Sequence, residues 1–162
     1  MPPKVYIETS VISYLTSKPS RDVIALVRQH ITREWWDKRR SDFDLYVSEL
    51  VEQEASGGDA SAAAQRLSVI NLLPKLEVNQ QAVALAQAFI AQKIFPQKAK
   101  ADALHIAIAT VHQMNYLLSW NFRHIVNAAT RIPIVQICQM NGYEPPAICT
   151  PEELMRSDND GK

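Results

Sequence analysis

The sequence predicts an α/β protein of three layers, α/β/α, in which helices cover both faces of a central parallel sheet. Short apolar runs rich in β-branched residues alternate with longer segments whose apolar residues recur at helical spacing. Such alternation is typical of parallel sheets covered by helices. With 162 residues and no repeat or interior linker, the chain can bury most of its apolar surface in one core. We expect one domain over residues 1–156 and a polar tail, SDNDGK, at 157–162.

Two strand–helix units are predicted in the first half of the chain. The run VYI at 5–7 predicts a strand, and the apolar residues at 11–15 suit a short helix. A longer helical pattern, with Ser and Asp near its start, covers 20–39. The run DLYV at 44–47 predicts a second strand, after which Ser48 can cap a helix that a Gly-Gly pair ends.

The second half continues the alternation. Three further helices are predicted at 59–69, 80–93 and 98–114. A short strand is expected near 76–78, and the apolar run YLL at 116–118 predicts another. The β-branched run at 132–137 is interpreted as the last strand. Ligand sites in such sheets lie beyond the carboxyl ends of the strands, which is where functional side chains are expected.

Composition and charge exclude several classes of protein. A hydrophobic fraction of 47% and a charged fraction of 21% do not fit a disordered chain, a collagen-like chain or a coiled coil. Lys plus Arg and Asp plus Glu both number 17, so no overall basic charge indicates nucleic-acid binding. A nucleic-acid partner would have to be held locally, for example by a metal ion that bridges acidic side chains and a phosphate.

The cysteines and the lack of long apolar runs favour a cytoplasmic protein. Cys138 and Cys149 are the only cysteines, and we expect reduced thiols because a chain of this size needs no disulfide framework. No signal-peptide core follows the N-terminus, and no window approaches the roughly 18 apolar residues of a membrane span.

Three acidic residues stand out as candidate metal ligands. Glu8 directly follows the first predicted strand, although a solvated loop glutamate is the alternative. Glu54 lies on the helix after the second strand, where spacing alone does not separate it from Glu49 and Glu52. Asp102 lies among small residues near a helix start, where the helix dipole alone also favours an aspartate.

The neighbouring histidines indicate no zinc site. His105 is one turn after Asp102, and a packed or hydrogen-bonded role is favoured over a ligand role. No Cys/His spacing of the zinc type is present. Oxygen ligands without imidazole or thiolate favour Mg²⁺ or Mn²⁺.

Four segments together resemble the PIN-domain superfamily, in particular its VapC-type toxin branch or a close orphan relative. They are VYIETSV, SELVEQE, KADALHIAIA and YLLSWNFRHI, and the resemblance covers about residues 5–154. In the second segment a serine precedes an acid by six residues, so Ser48 selects Glu54 over Glu52. The sequence departs from the family at two positions, since Asn121 stands where many members have aspartate and Glu8 where most have the shorter aspartate.

The resemblance implies a PIN-like nuclease that cleaves phosphodiester bonds of single-stranded RNA with a metal-activated water. It implies Mg²⁺ or Mn²⁺ as cofactor, and commonly a homodimer that serves as the toxin of a type II toxin–antitoxin pair with a small antitoxin. The implied metal ligands are Glu8, Glu54 and Asp102, joined by Asn121 as a fourth catalytic residue.

Side chains for RNA binding are expected beside the acids. The candidates are Ser10, Ser119, Lys98, Lys100 and Arg123. The two lysines flank the third acid, so their contribution would be electrostatic and salt-sensitive. Arg123 and His124 can meet a phosphate or can be ordinary surface residues. Base stacking is a further possible role of the tryptophans, although one of the adjacent pair is expected in the core. They are Trp35, Trp36 and Trp120.

Two other functions stay open on the sequence. Asn121 in place of an acid favours a catalytically weak or inactive PIN-like domain that binds RNA or protein. A small-ligand or signalling α/β domain is the second alternative, because fold does not determine function. The lack of a glycine-rich phosphate loop argues against nucleotide binding in that case.

Overall fold

Five strands form the central sheet of the computed structural model, which describes residues 1–155. They are β1 (Lys4–Ile7), β2 (Asp44–Ser48), β3 (Lys75–Leu76), β4 (Tyr116–Leu118) and β5 (Ala147–Cys149). Their order across the sheet is β3-β2-β1-β4-β5, and each neighbouring pair is parallel. The predicted polar tail at 157–162 lies outside the described residues.

Helices flank the sheet and complete the predicted three-layer α/β/α architecture, which is confirmed. They are α1 (Thr9–Thr16), α2 (Val23–Arg39), α3 (Glu49–Ala55), α4 (Ala60–Ile70), α5 (Gln80–Ala91), α6 (Lys100–Val111) and α7 (Ala128–Met140), with short 3₁₀ turns at Arg40–Asp42 and Gln97–Ala99. The first six correspond to predicted helices, whose ends shift by at most a few residues. The helices of residues 1–155 are too short or too polar to span a bilayer.

Side-chain caps explain where three of the helices begin. Asp22 accepts a hydrogen bond from the Ala25 backbone N–H at 2.9 Å, and Ser48 accepts one from Val51 at 3.1 Å. Each cap satisfies a backbone donor that has no partner within its helix. Asp59 does the same for α4. After α3, Gly58 has a φ of +80°, a conformation that favours glycine and reverses the chain.

The strand predicted at 132–137 is wrong, because this segment lies inside α7. Ile134, Ile137 and Cys138 are its buried residues and follow the i, i+3, i+4 spacing of one helix face. Ile132 is 69% exposed and Ile134 is 1% exposed, although both would face the same side of a strand. The β-branched composition misled the prediction, since β-propensity depends strongly on tertiary context.

The fifth strand of the sheet was not predicted from the sequence. It is β5, which pairs with β4 through Leu117↔Ile148 and follows two prolines. Three residues are too few for a periodicity signal, so the sheet neighbour decides their conformation.

The core is centred on β1 and α6. Residues 5–7 of the central strand are fully buried, and every residue of α6 from 105 to 110 is buried. Small alanines let this helix pack closely on its neighbours. Cys138 and Cys149 are free and buried, so the prediction of reduced thiols is confirmed.

Candidate metal centre

The carboxyl ends of the three middle strands bring polar side chains to one edge of the sheet. Glu8 directly follows β1, Ser48 ends β2, and Ser119 directly follows β4. The Glu8 backbone N–H donates to the Leu118 carbonyl at 3.0 Å, which ties the ends of β1 and β4 together. Parallel strands place their carboxyl ends at one edge, as the sequence analysis expected.

Glu8 is a buried carboxylate held by three donors. Its side chain accepts from the Ser10 N–H at 3.1 Å, from Ser10 Oγ at 2.5 Å and from Ser119 Oγ at 2.6 Å. Glu8 is therefore itself the N-cap of α1. With 5% of its surface exposed and three donors in place, the carboxylate has little freedom to rotate.

Glu54 lies in the last turn of α3 and faces the same edge. Its Oε1 accepts from Thr9 Oγ1 at 2.5 Å and lies 2.7 Å from His105 Nε2. Burial raises the pKa of Glu54, but the hydrogen bond from His105, together with the Thr9 hydroxyl, outweighs burial and holds this pKa below its ordinary value. Glu54 is therefore ionised at neutral pH, and its side chain is 32% exposed.

His105 connects Glu54 to the core. Its Nδ1 lies 2.6 Å from the Tyr6 hydroxyl, which lies 2.8 Å from Ser48 Oγ. The favoured prediction of a packed or hydrogen-bonded His105 is confirmed, since only 1% of it is exposed. One ring nitrogen of His105 and one carboxylate oxygen from each of Glu8 and Glu54 lie within 4.8 Å of one another.

Asp102 is not part of that 4.8 Å group and is linked to it through Asn121. Asn121 Nδ2 donates to Asp102 Oδ1 at 3.0 Å, and the Asn121 backbone N–H donates to Ser119 Oγ at 3.0 Å. Because Ser119 also donates to Glu8, a continuous hydrogen-bonded path runs from Asp102 to Glu8. The side-chain oxygen of Asn121 accepts from the His124 backbone N–H at 3.1 Å.

The electrostatic setting of Asp102 differs from that of Glu54. Burial raises the pKa of Asp102 and the charge of Glu8 adds to the rise, while His105, His124 and the Asn121 amide offset it only in part. Ionisation of Asp102 is therefore less favourable in the metal-free folded protein than in the unfolded chain. A cation beside it would reverse that preference.

The donor set fits a hard divalent cation. Within residues 1–155, no Lys or Arg nitrogen lies within 4.0 Å of the carboxylates of Glu8, Glu54 or Asp102. In the same part of the chain, Oε2 of Glu54 and Oδ2 of Asp102 accept no hydrogen bond from protein. Clustered carboxylates without a cationic partner and with free oxygens are the ligands that Mg²⁺ and Mn²⁺ prefer.

The residues predicted to bind substrate fall into two groups. Ser10 and Ser119 give their hydroxyl protons to Glu8, so they orient that carboxylate. Lys98 and Lys100 are exposed at the start of α6, close in sequence to Asp102, and Arg123 is exposed in the turn after Asn121. These three cations are open to a phosphate.

The tryptophans offer little surface for base stacking. Trp35 is fully buried, and Trp120 is 5% exposed with its Nε1 donating to Thr32 Oγ1 at 2.8 Å. The expectation that one of the adjacent pair lies in the core is confirmed by Trp35, whereas the stacking role considered for Trp120 is wrong. Trp36 is partly exposed and packs against the Arg40 guanidinium, 5.0 Å from its ring centroid.

The groups around Glu54 were not predicted from the sequence. Thr9 has no role of its own there beyond the segment VYIETSV, and Tyr6 is only part of a predicted strand. One signal was available for Tyr6, because a tyrosine in a buried central strand needs a partner for its hydroxyl. Its partners, Ser48 and His105, come from distant segments that spacing does not connect.

The chain matches no protein-family model, and no curated protein matches it at a significant level. The resemblance to the PIN-domain superfamily therefore depends on the four motif segments, and function is inferred from the side chains at the carboxyl edge of the sheet.

Proposed function

We propose that this chain is a Mg²⁺- or Mn²⁺-dependent endoribonuclease of the PIN-domain type that cleaves single-stranded RNA. The observation that carries the proposal is the approach of Glu8, at the end of β1, and Glu54, in the last turn of α3, into one cluster that no Lys or Arg neutralises within residues 1–155. Bringing carboxylates together without a cation is unfavourable, so such a cluster favours a bound metal ion.

Glu8, Glu54 and Asp102 would hold the metal, directly or through water. When bound, the metal supplies a Lewis acid that activates water and offsets the charge that builds on the phosphodiester. The chain contributes the fixed geometry. The hydroxyls of Ser10 and Ser119 donate to the Glu8 carboxylate. Because Glu8 is almost completely buried, its carboxylate stays in this orientation. Such preorganisation removes the need for the site to rearrange during the reaction.

Local cations support RNA as the substrate. Lys98 and Lys100 lie exposed before Asp102, and Arg123 lies exposed after Asn121. The zero net charge of the chain means that phosphates would be attracted by these side chains and the metal alone. Binding is therefore expected to weaken steeply as salt rises.

A toxin role with a small antitoxin, as a cytoplasmic homodimer, is the biological setting that the VapC-type resemblance supports. The start of α2 exposes a row of apolar side chains, with Val23 73%, Ile24 62% and Val27 51% exposed. Exposed apolar clusters of this kind favour a protein partner.

A second candidate is a PIN-like domain that binds RNA or protein with weak or no catalysis. Asn121 favours it, because a neutral amide stands where many family members have an acid, and it gives its N–H to Asp102. Metal affinity and cleavage would both be reduced in that case.

The test uses single-stranded RNA of mixed sequence incubated with purified protein and analysed on denaturing gels. Cleavage is expected with Mg²⁺ or Mn²⁺ and should stop with excess chelator. Glu54→Gln should lose cleavage, whereas Glu52→Gln should retain it, because Glu52 lies on the same helix but pairs with Lys75 away from the cluster. Undiminished cleavage in chelator, or equal activity of the two variants, would refute the proposal. Metal binding without cleavage would favour the second candidate.

A further inference from the structure

Four side chains form a buried line of hydrogen bonds that ends on Glu54. Ser48 and Tyr6 are fully buried and His105 is 1% exposed, whereas Glu54 reaches the surface. The contacts from Ser48 to Tyr6, from Tyr6 to His105 and from His105 to Glu54 measure 2.8, 2.6 and 2.7 Å. Each of these contacts needs one proton, so the donors can be assigned in turn.

The assignment starts at Ser48. Its Oγ already accepts the Val51 backbone N–H at 3.1 Å as the cap of α3. Its own hydroxyl proton therefore goes to Tyr6, the other group within reach. Tyr6 then gives its single proton to His105 Nδ1. Burial raises the pKa of Tyr6 well above its ordinary value, so the phenol keeps that proton.

The ring of His105 then has one possible arrangement as a neutral group. With Nδ1 accepting from Tyr6, the ring proton lies on Nε2 and is donated to Glu54 Oε1. The reverse arrangement would set an Nε2 lone pair against a carboxylate oxygen at 2.7 Å, which is repulsive. In that arrangement Tyr6 would donate to Ser48. The buried Ser48 hydroxyl proton would then have no acceptor, since the other contact of Ser48 Oγ is the Val51 N–H donor.

We propose that His105 is a positioning residue for the metal centre, and that Ser48 and Tyr6 fix the direction of its hydrogen bond. His105 and Thr9 both hold Oε1 of Glu54, so the carboxylate is kept in one orientation with Oε2 left for the cation. This inference rests on the proposed function. His105 then orients the metal ligand Glu54 and is not itself a ligand, although one of its ring nitrogens lies within the 4.8 Å cluster. Partners that orient metal ligands in this way typically change metal affinity by about 10–100-fold when removed.

The first test reads the ring proton directly. Nitrogen-15 NMR of the metal-free protein distinguishes a protonated from an unprotonated imidazole nitrogen, and the His105→Gln variant identifies the signal among the four histidines. The expected result is a protonated Nε2 and an unprotonated Nδ1, retained when Mg²⁺ is added. A protonated Nδ1, a doubly protonated ring, or loss of the Nε2 proton on metal binding would overturn the proposal.

The second test separates orientation from packing. Mn²⁺ affinity is measured by isothermal titration for wild type, His105→Gln, His105→Leu and Tyr6→Phe, with metal-free melts to check that each variant is folded. Leucine removes the donor, so binding should weaken about 10-fold or more. Glutamine keeps an N–H for Glu54 and should recover most of the affinity. Tyr6→Phe, which keeps the ring and loses only the hydroxyl, should weaken binding by a smaller factor and lower the preference for a protonated Nε2.

The outcomes distinguish the two proposals. If wild type binds Mn²⁺ and the Gln and Leu variants lose affinity equally, or neither loses any, His105 acts only in packing and the positioning role is refuted alone. If wild type binds no Mn²⁺, the metal centre of the proposed function fails, and the role of His105 in it fails as well.

Discussion

The side-chain amide of Asn121 donates a 3.0 Å hydrogen bond to Oδ1 of Asp102, and its carbonyl oxygen is used by the His124 backbone N–H. The amide thus holds Asp102 without adding charge. A carboxylate in the same place could still accept from His124, but it would face Asp102 with a second negative charge. An amide at residue 121 therefore favours the stability of the metal-free protein, whereas a carboxylate there would favour metal binding.

We expect Asn121→Asp to lower the stability of the metal-free protein and to tighten Mn²⁺ binding. The new carboxylate would repel Asp102 without metal, and a cation would be attracted to both. The gain in binding free energy should be about 1–3 kcal/mol, the range for a charge-assisted interaction. Isothermal titration and metal-free melts measure the two effects.

Asn127→Asp is the matched control for added charge. Asn127 caps α7 through the Ala129 N–H and contacts none of the three acids within the described chain. Its variant should leave Mn²⁺ affinity unchanged. Equal affinities in wild type and Asn121→Asp would place Asn121 outside the metal's reach.

Asp102→Asn should largely abolish cleavage and yet stabilise the metal-free protein at neutral pH. The pKa of Asp102 is raised above its ordinary value of 3.8, chiefly by burial. Its contribution to stability is therefore complete below the unfolded pKa and is lost as pH rises through the folded pKa. Asp102→Asn has no such loss, so its free energy of unfolding should exceed that of the wild type by an amount that grows with pH.

Urea denaturation in chelator, from pH 4 to pH 7, measures this difference. Groups remote from residue 102 titrate equally in both proteins, so the difference between the two curves reports residue 102 and the few groups whose charges interact with it. A stability difference that does not change with pH would contradict the assigned cause. With saturating Mg²⁺ the wild type should become the more stable of the two proteins, because metal binding to the folded state stabilises it more than Asp102→Asn.

Ser119→Ala should destabilise the protein by about 1.5–3 kcal/mol, the range for a hydrogen bond to a charged group. The fully buried Ser119 hydroxyl donates to Glu8 at 2.6 Å and accepts from the Asn121 N–H. Urea denaturation measures this decrease in the free energy of unfolding. Ser61→Ala, at an exposed position of α4, should change stability by no more than about 0.5 kcal/mol. Similar values for both variants would mean that Glu8 does not need Ser119.

Both thiols should resist labelling by Ellman's reagent until the protein unfolds. Burial, with a smaller contribution from the Glu153 charge, raises the pKa of Cys149 to about 12, and burial also raises the pKa of Cys138. The reactive thiolate is therefore scarce at pH 8, and access is blocked as well. Rapid labelling of the native protein would contradict this, whereas denaturant should release two thiols per chain.

Local patterns were enough to predict most of the fold. Caps such as Asp22 and Ser48 act within a few residues, so their effect is visible in the sequence. The segment at 132–137 shows the limit of such patterns, since its composition favours a strand and its burial is that of a helix. Burial depends on what packs against a segment, which is not a local property.

Some residues of the candidate site could likewise be predicted from local patterns, and others could not. Glu8 was accessible to prediction because an acid at the carboxyl end of a strand must project toward the edge of a parallel sheet. Asp102 was accessible for a related reason, since it stands alone among small residues at a helix start. Glu54 needed the resemblance, because Glu49 and Glu52 occupy equally suitable positions on the same helix.

The sequence by itself determined the alternation of strands and helices, and it placed acids at their junctions, because both follow from interactions between near neighbours in the chain. Only the tertiary structure decided which groups hold those acids. Tyr6 meets His105 and Ser119 meets Glu8 across about a hundred residues of chain. Hydrogen bonds form over a range of only a few tenths of an ångström, and packing alone brings such distant atoms within it.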